Sequence, residues 1–167
     1  ITINNTLGYG LSDYQVWIPT TVFTLTQWSD IKGGTGRADL ADIRFATGTA
    51  SSARFFPYWI DSDTTNPRGF WVKVSTVVAG TNTIYMYYGN SGAGRGQSGD
   101  NTFLFFDDFD TLDWTNKWQS SSQSNYSVSN SWLSLTRPAS SDGKLSSKNT
   151  FSSFAVKIRA KYGATTD

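Results

Sequence analysis

Cysteine, histidine and glutamate do not occur in this 167-residue sequence. Without cysteine there is no disulfide framework and no thiolate nucleophile, and with histidine also missing the usual ligand sets of structural zinc are excluded. The 13 acidic residues are all aspartates, so general acid–base chemistry would have to rest on Asp, Lys or Tyr. No side chain has an ordinary pKa in the range where histidine titrates, so the charge changes little between mildly acidic and mildly basic pH. Apolar runs long enough to span a bilayer are missing too, which predicts no membrane insertion. The chain opens on Ile1 with no secretory leader pattern, and the expectation is a mature or excised fragment. Basic runs are absent and the net charge is +1, which argues against a nucleic-acid surface, since neutralising phosphates takes clustered Lys and Arg.

Aromatic residues, by contrast, make up 16% of the chain, enough to fill a core in spite of a modest aliphatic share. Two-residue alternation recurs. Tyr14, Val16 and Ile18 interleave with Gln15 and Trp17, and Phe70, Val72 and Val74 interleave with Trp71 and Lys73. Thr83–Tyr88 is rich in strand formers. Phe154, Val156, Ile158, Ala160 and Tyr162 alternate with Lys157, Arg159 and Lys161, read as the wet face of a strand. Each run offers one face to a core. Gly-, Asn-, Asp- and Pro-rich clusters punctuate them, so the pattern predicts an all-β chain, an antiparallel β-sandwich of jelly-roll type. One short helix is expected over Thr26–Lys32, with Trp28 and Ile31 covering a sandwich edge. The segment from Gly89 to Asn101 is Gly-rich and reads as a linker or long loop. It lacks the Gly-Lys-Ser/Thr ending of a phosphate-binding loop, and it predicts domains at 1–100 and 101–167.

The candidate chemistry is modest. Trp59, Trp71, Tyr85 and Tyr87 are either core aromatics or rings that stack on sugars, with Trp71 set on the face opposite Phe70, Val72 and Val74. Asp107, Asp108 and Asp110 form the densest acidic cluster. Its members either cap a strand end or hold calcium, the sole sensible metal for an all-oxygen donor set. Asp61 and Asp63 would share a face if extended, but Thr64-Thr65-Asn66-Pro67 follows, and they read as solvated loop acids. Arg44 is expected in a structural ion pair with Asp42, Asp61 or Asp63. Asn4 and Asn125 begin N-glycosylation triplets, and these, with abundant Ser, Thr, Asn and Gly, suit an extracellular or cell-surface protein.

Four strings stand in order: Asp42-Ile43-Arg44-Phe45, Pro57-Tyr58-Trp59-Ile60, Phe70-Trp71-Val72-Lys73-Val74 and the run from Ala79 to Asn90 that ends Tyr87-Tyr88-Gly89-Asn90. In this they resemble DUF2341 modules, over about residues 10–105. Where that family often places an acid before the Tyr-Trp-Ile run, Ala53-Arg54-Phe55-Phe56 stands here, so no role of that acid carries over. A second stretch, from Phe103 through Asp107, Asp108 and Asp110 to Lys117-Trp118, is similar to the opening of concanavalin A-like sandwiches, including LamG-like modules and laminarinase-type glycosidases. Tyr126-Ser127-Val128 and Trp132–Leu135 continue it. Only about sixty residues follow the opening, so an incomplete second sandwich is expected. Its missing strands would come from further chain or, by strand donation, from neighbouring copies. The resemblance implies an adhesion, structural or carbohydrate-binding module, including a filament or virion-surface subunit, whose partner is a glycan or further copies. The laminarinase-type site uses two Glu, which this chain lacks, so the alternative is a fragment of a glycan-active hydrolase whose catalytic strand lies outside it.

Overall fold

The alternating runs fold as strands because one side of each can be buried while the other stays wet. The computed structural model describes residues 1–49, 52–62, 67–136 and 143–160. These fall into two units, Ile1–Asp107 and Asp108–Asp167. Among the described residues no helix is long and apolar enough to cross a membrane.

The first unit contains β1 (Thr2–Asn5), β2 (Leu11–Pro19), α1 (Leu25–Ile31), β3 (Arg44–Thr47), β4 (Arg54–Phe56), β5 (Tyr58–Ser62), β6 (Pro67–Val77), β7 (Gly80–Thr83), β8 (Tyr85–Tyr87) and α2 (Gly99–Thr102). Two three-stranded antiparallel sheets, ordered β2-β6-β5 and β4-β3-β8, supply the core, and β1 pairs with β7. The all-β expectation holds, with a sandwich-like arrangement. Phe70, Val72 and Val74 of β6 are fully buried with Ile18, Tyr58 and Ile60, and they share one apolar cluster with Phe45 and Phe56 from the other sheet. Phe45 lies between Tyr58 and Phe70, with ring centroids 5.4 and 5.3 Å away. Each such side chain contributes about 1.5–3 kcal/mol through burial.

The helix α1 begins where the sequence provides a capping box. Thr24 Oγ1 accepts from Gln27 N at 3.2 Å, while the Gln27 side chain accepts from Thr24 N at 2.9 Å. Its inward residues close one edge of the core as expected: Ile31 is buried, and Trp28 stacks on Phe23 and meets Phe70 edge-on.

The second unit contains β9 (Trp118–Gln119), β10 (Tyr126–Ser129), β11 (Trp132–Leu135) and β12 (Ser146–Ser147), paired β10-β11 and β9-β12. The β10-β11 hairpin turns on Asn130 and Ser131, both at positive φ (52° and 57°), as a two-residue turn matched to strand twist requires. Trp114 meets Tyr126 edge-on, and Phe109 stacks on Trp118. The strand expected over Phe154–Tyr162 is not formed in Phe154–Ala160. A ladder needs a hydrogen-bonding neighbour, and none is seen among the described residues; Lys161 and Tyr162 lie outside them.

Candidate functional site

The strings that carry the family resemblance meet in space. Asp42, buried, accepts from Gly89 N at 2.6 Å and from Arg37 N, so the start of the first string holds the end of the last. Gly89 has φ of +97°, and an added Cβ would press on Thr35, so a side chain is unwelcome there on both counts. Two residues on, Arg44 lies opposite Tyr87 across the β3-β8 ladder. Tyr58, from the second string, donates its hydroxyl to Ile43 O at 2.7 Å, and burial pushes its pKa up.

Arg44 does not form the ion pair expected of it. Its guanidinium donates to Ala41 O, Ile43 O and Gly94 O, and no carboxylate lies in ion-pair range among the described residues. Asp42 is occupied by backbone N–H groups instead. Asp61 is 3.9 Å from Arg68, and Asp63 lies outside the described residues. The Gly-rich segment is a loop, and it is pinned to the first unit. Arg37 holds Ser91 O and Ala93 O, Arg44 holds Gly94 O, and Arg95 reaches back to Asp39 O. Gly96 lies so close to the Arg44 guanidinium that a Cβ there would collide with it.

The four aromatic candidates separate into two places. Trp71 and Trp59 lie on the outer face of the β2-β6-β5 sheet, in one cross-strand row with Trp17. Trp17 packs on Trp71 at 5.0 Å, and its ring covers Gly69, where an added Cβ would come within 2.6 Å of the indole. The chain itself covers this row. Phe106 packs on Trp59 at 4.4 Å, Phe103 on Trp71 at 5.9 Å, and the two phenylalanines stack on each other. Hydrogen bonds from Ser98 N to Tyr58 O and from Gln15 Nε2 to Thr102 O hold this covering segment down. Trp59 and Trp71 thus form a second, partly buried aromatic layer.

Tyr85 and Tyr87 stand on the outer face of the β4-β3-β8 sheet. Register sets Phe55, Ala46 and Tyr85 side by side on that face, with Arg44 and Tyr87 next along. Phe55 is 63% exposed and Tyr85 39%, whereas Ala46 between them is fully buried. Tyr87 meets the Phe55 ring edge-on at 6.3 Å and donates its hydroxyl to Gly48 O at 3.0 Å, which fixes its tilt. The result is a surface platform of three aromatic rings, with Phe55 and Tyr85 exposed and Tyr87 half-buried. Phe55 is the member that sequence reasoning passed over. The signal was present: Phe56 alternates with it and fills the core, which leaves Phe55 facing out.

The remaining candidates are dispersed. Ser131 donates to Asp110 Oδ1 at 2.6 Å. Asp113 accepts from Thr115 N and Asn116 N, and the Asn116 contacts hold its carboxyl below the usual range. Among the described residues no group of three or more acids converges to hold a metal, and Asp107, Asp108 and Asp110 form no such group. Asn4 is exposed on β1 opposite Thr81, and Asn125 is half-buried just before β10.

No curated protein and no solved structure matches this chain. The family model described as "Domain of unknown function (DUF2341)" matches residues 39–121, a span that contains the Asp42–Gly89 contact, the Arg44 carbonyl cluster and the aromatic platform, and over that span the chain is similar to DUF2341 modules.

Proposed function

We propose that this chain is a non-enzymatic, glycan-binding part of an extracellular or cell-surface protein. The observation that carries the reading is the platform of Phe55, Tyr85 and Tyr87. Rings kept at the surface of a β-sheet, here with Tyr87 held by its hydroxyl bond and packed on Phe55, are preorganised to stack on the apolar faces of sugar rings, and little entropy is lost when they do so. The lack of Glu and His, and of any carboxylate on β3, β4 or β8, supports binding without catalysis. The second unit is proposed as the opening of a concanavalin A-like sandwich, on the strength of its sequence and its short antiparallel pairs.

The test is isothermal titration of the chain against a panel of soluble polysaccharides. Phe55→Ala and Tyr85→Ala are each expected to weaken binding by about tenfold or more, the cost of truncating an interface anchor. The melting temperature should hardly move, because both rings are exposed. A wild-type chain that binds no member of the panel removes the reading.

A second reading, assembly through neighbouring copies, is favoured by one observation. Phe154, Val156 and Ile158 are 61%, 63% and 78% exposed along a stretch with strand periodicity.

A further inference from the structure

The charges around the platform are one-sided. β3, β4, β8 and the loop over residues 88–98 carry Arg44, Arg54 and Arg95 and no carboxylate. Arg44 shares the platform face and stands opposite Tyr87, its guanidinium bonded to carbonyl oxygens and close to the Tyr58 hydroxyl, with no carboxylate in ion-pair range among the described residues. Arg54 is exposed at the start of the edge strand, alternates with Phe55 and so stands at the rim of the platform and not on its face, and has no ion-pair partner among the described residues. Arg95 is exposed on the loop that Arg44 holds; one of its nitrogens binds Asp39 O, and its charge is felt by the Asp39 carboxylate without a direct ion pair. The aspartates bonded to this end are already occupied: Asp30 by Thr35 N and the Tyr88 hydroxyl, Asp39 by Arg37 and Ala41 N, Asp42 by Arg37 N and Gly89 N. The outer face of the other sheet differs, since Asp61 there is balanced by Arg68.

We propose that the ligand of this face is an acidic polysaccharide, one whose sugar rings stack on Phe55, Tyr85 and Tyr87 while its carboxylates or sulfates meet the surrounding arginines. The proposal rests on the glycan-binding reading and adds the charge of the ligand. A guanidinium offers planar, paired donors that fit carboxylate and sulfate oxygens. Its pull on an anion is local, because at physiological salt the field of an exposed charge decays over about 8 Å. Nucleic acid shares the negative charge, but its binding sites track the backbone with a longer run of cations than three arginines around one small sheet supply.

The experiment compares the full chain on polygalacturonate, alginate and dextran sulfate with neutral β-glucan and mannan, by titration at low and at raised salt. A single-stranded oligonucleotide serves as the other polyanion. Acidic polymers are expected to bind roughly tenfold or more tightly than neutral ones, and to lose several-fold in affinity as salt rises. Arg54→Gln should weaken acidic polymers about three- to tenfold and leave neutral ones unchanged, while Phe55→Ala weakens both. Both positions are exposed, and an unchanged melting temperature excludes misfolding as the cause. Equal affinity for neutral polymers with a silent Arg54→Gln overturns the acidic ligand and leaves glycan binding standing. Failure to bind any glycan removes both. Oligonucleotide binding as tight as that of the acidic glycans shows that the ligand class is wrong.

Discussion

The hydroxyl of Tyr126 is buried in the second unit with no hydrogen-bond partner among the described residues. A buried polar group without a partner forfeits its hydration and costs about 1–3 kcal/mol. The ring itself is well used, packed edge-on against Trp114 at 6.0 Å. Tyr126→Phe keeps the ring and removes the unmatched oxygen. The expected outcome is a chain no less stable than wild type and up to about 1 kcal/mol more so, read by urea denaturation. A loss of more than about 1 kcal/mol would mean that the hydroxyl has a partner after all, such as a bound water. Position 126 is the variable middle of the Asn125–Ser127 triplet, so the change leaves that glycosylation signal intact.

At the scale of elements, the segment from Gly99 to Phe106 decides how the aromatic row is used. Three tryptophans side by side on a sheet face would present a large apolar patch if left bare. Phe106 and Phe103 cover it, and Gly99 allows Phe106 to close over the turn, since any side chain there would strike the ring. Phe106→Ala is expected to cost about 1–3 kcal/mol of stability and to shift tryptophan emission to longer wavelength as Trp59 gains solvent. Emission and stability both unchanged would show that the segment does not shield the row. Much of this architecture was legible beforehand. Period-two alternation located β2 and β6 and the inward residues of β6, while on β2 Ile18 is buried but Tyr14, in the same phase, is 50% exposed near the strand's start; Trp28 and Ile31 marked the helix and its buried side. The partition of the aromatics was harder to read. Alternation says that Trp71 and Tyr85 point away from the core, but both faces of a sheet look alike in sequence. Only register and the course of a distant segment reveal that Trp71 is roofed and Tyr85 is not. Arg44 shows the same limit. Its chain neighbours made a structural role legible, yet its partners are carbonyl oxygens, and these leave no trace in residue identity.

Two predictions concern the molecule as a whole. The first follows from a sequence without His or Glu. Hydrogen bonds from Thr35 and Tyr88 hold Asp30 below the usual carboxylate range, Arg37 does the same for Asp39, and Asn116 for Asp113. A carboxylate with a depressed folded pKa gives stability that is complete above its unfolded value and is lost as pH falls through the folded one. Tyr58, raised by burial, and Tyr88, raised by its bond to Asp30, behave in the opposite sense, with stability complete below the unfolded value and lost as pH rises through the folded one. Lys157, lowered by desolvation, opposes that alkaline loss. Urea melts across pH should therefore show a plateau from about 5 to 9, a decline below about 4 and another above about 10. A Tyr58→Phe chain, somewhat weaker at neutral pH, should lose less on the alkaline side. A slope near pH 6–7 would contradict this reading.

The second concerns association. Between Phe154 and Ala160 the chain alternates like a strand but forms no ladder among the described residues, and its Phe154, Val156 and Ile158 side chains are exposed to another strand. Exposed, apolar, strand-competent segments are where chains pair. Arg159, which lies over the Trp132 ring at 4.6 Å, ties the wet side of the segment to β11 and leaves the alternate residues facing out. Light scattering over a range of concentrations should therefore show self-association. Val156→Lys, which sets a charge in the middle of the apolar stripe, should suppress it, as charged residues do on natural edge strands. Ala155→Lys, at an exposed position on the opposite side of the same segment, separates a specific stripe from a general effect of charge, because it adds the same positive charge without touching the apolar side. Association through the stripe predicts that Ala155→Lys still associates while Val156→Lys does not. A wild-type chain that stays monomeric at high concentration removes strand pairing between copies from the functions open to this protein.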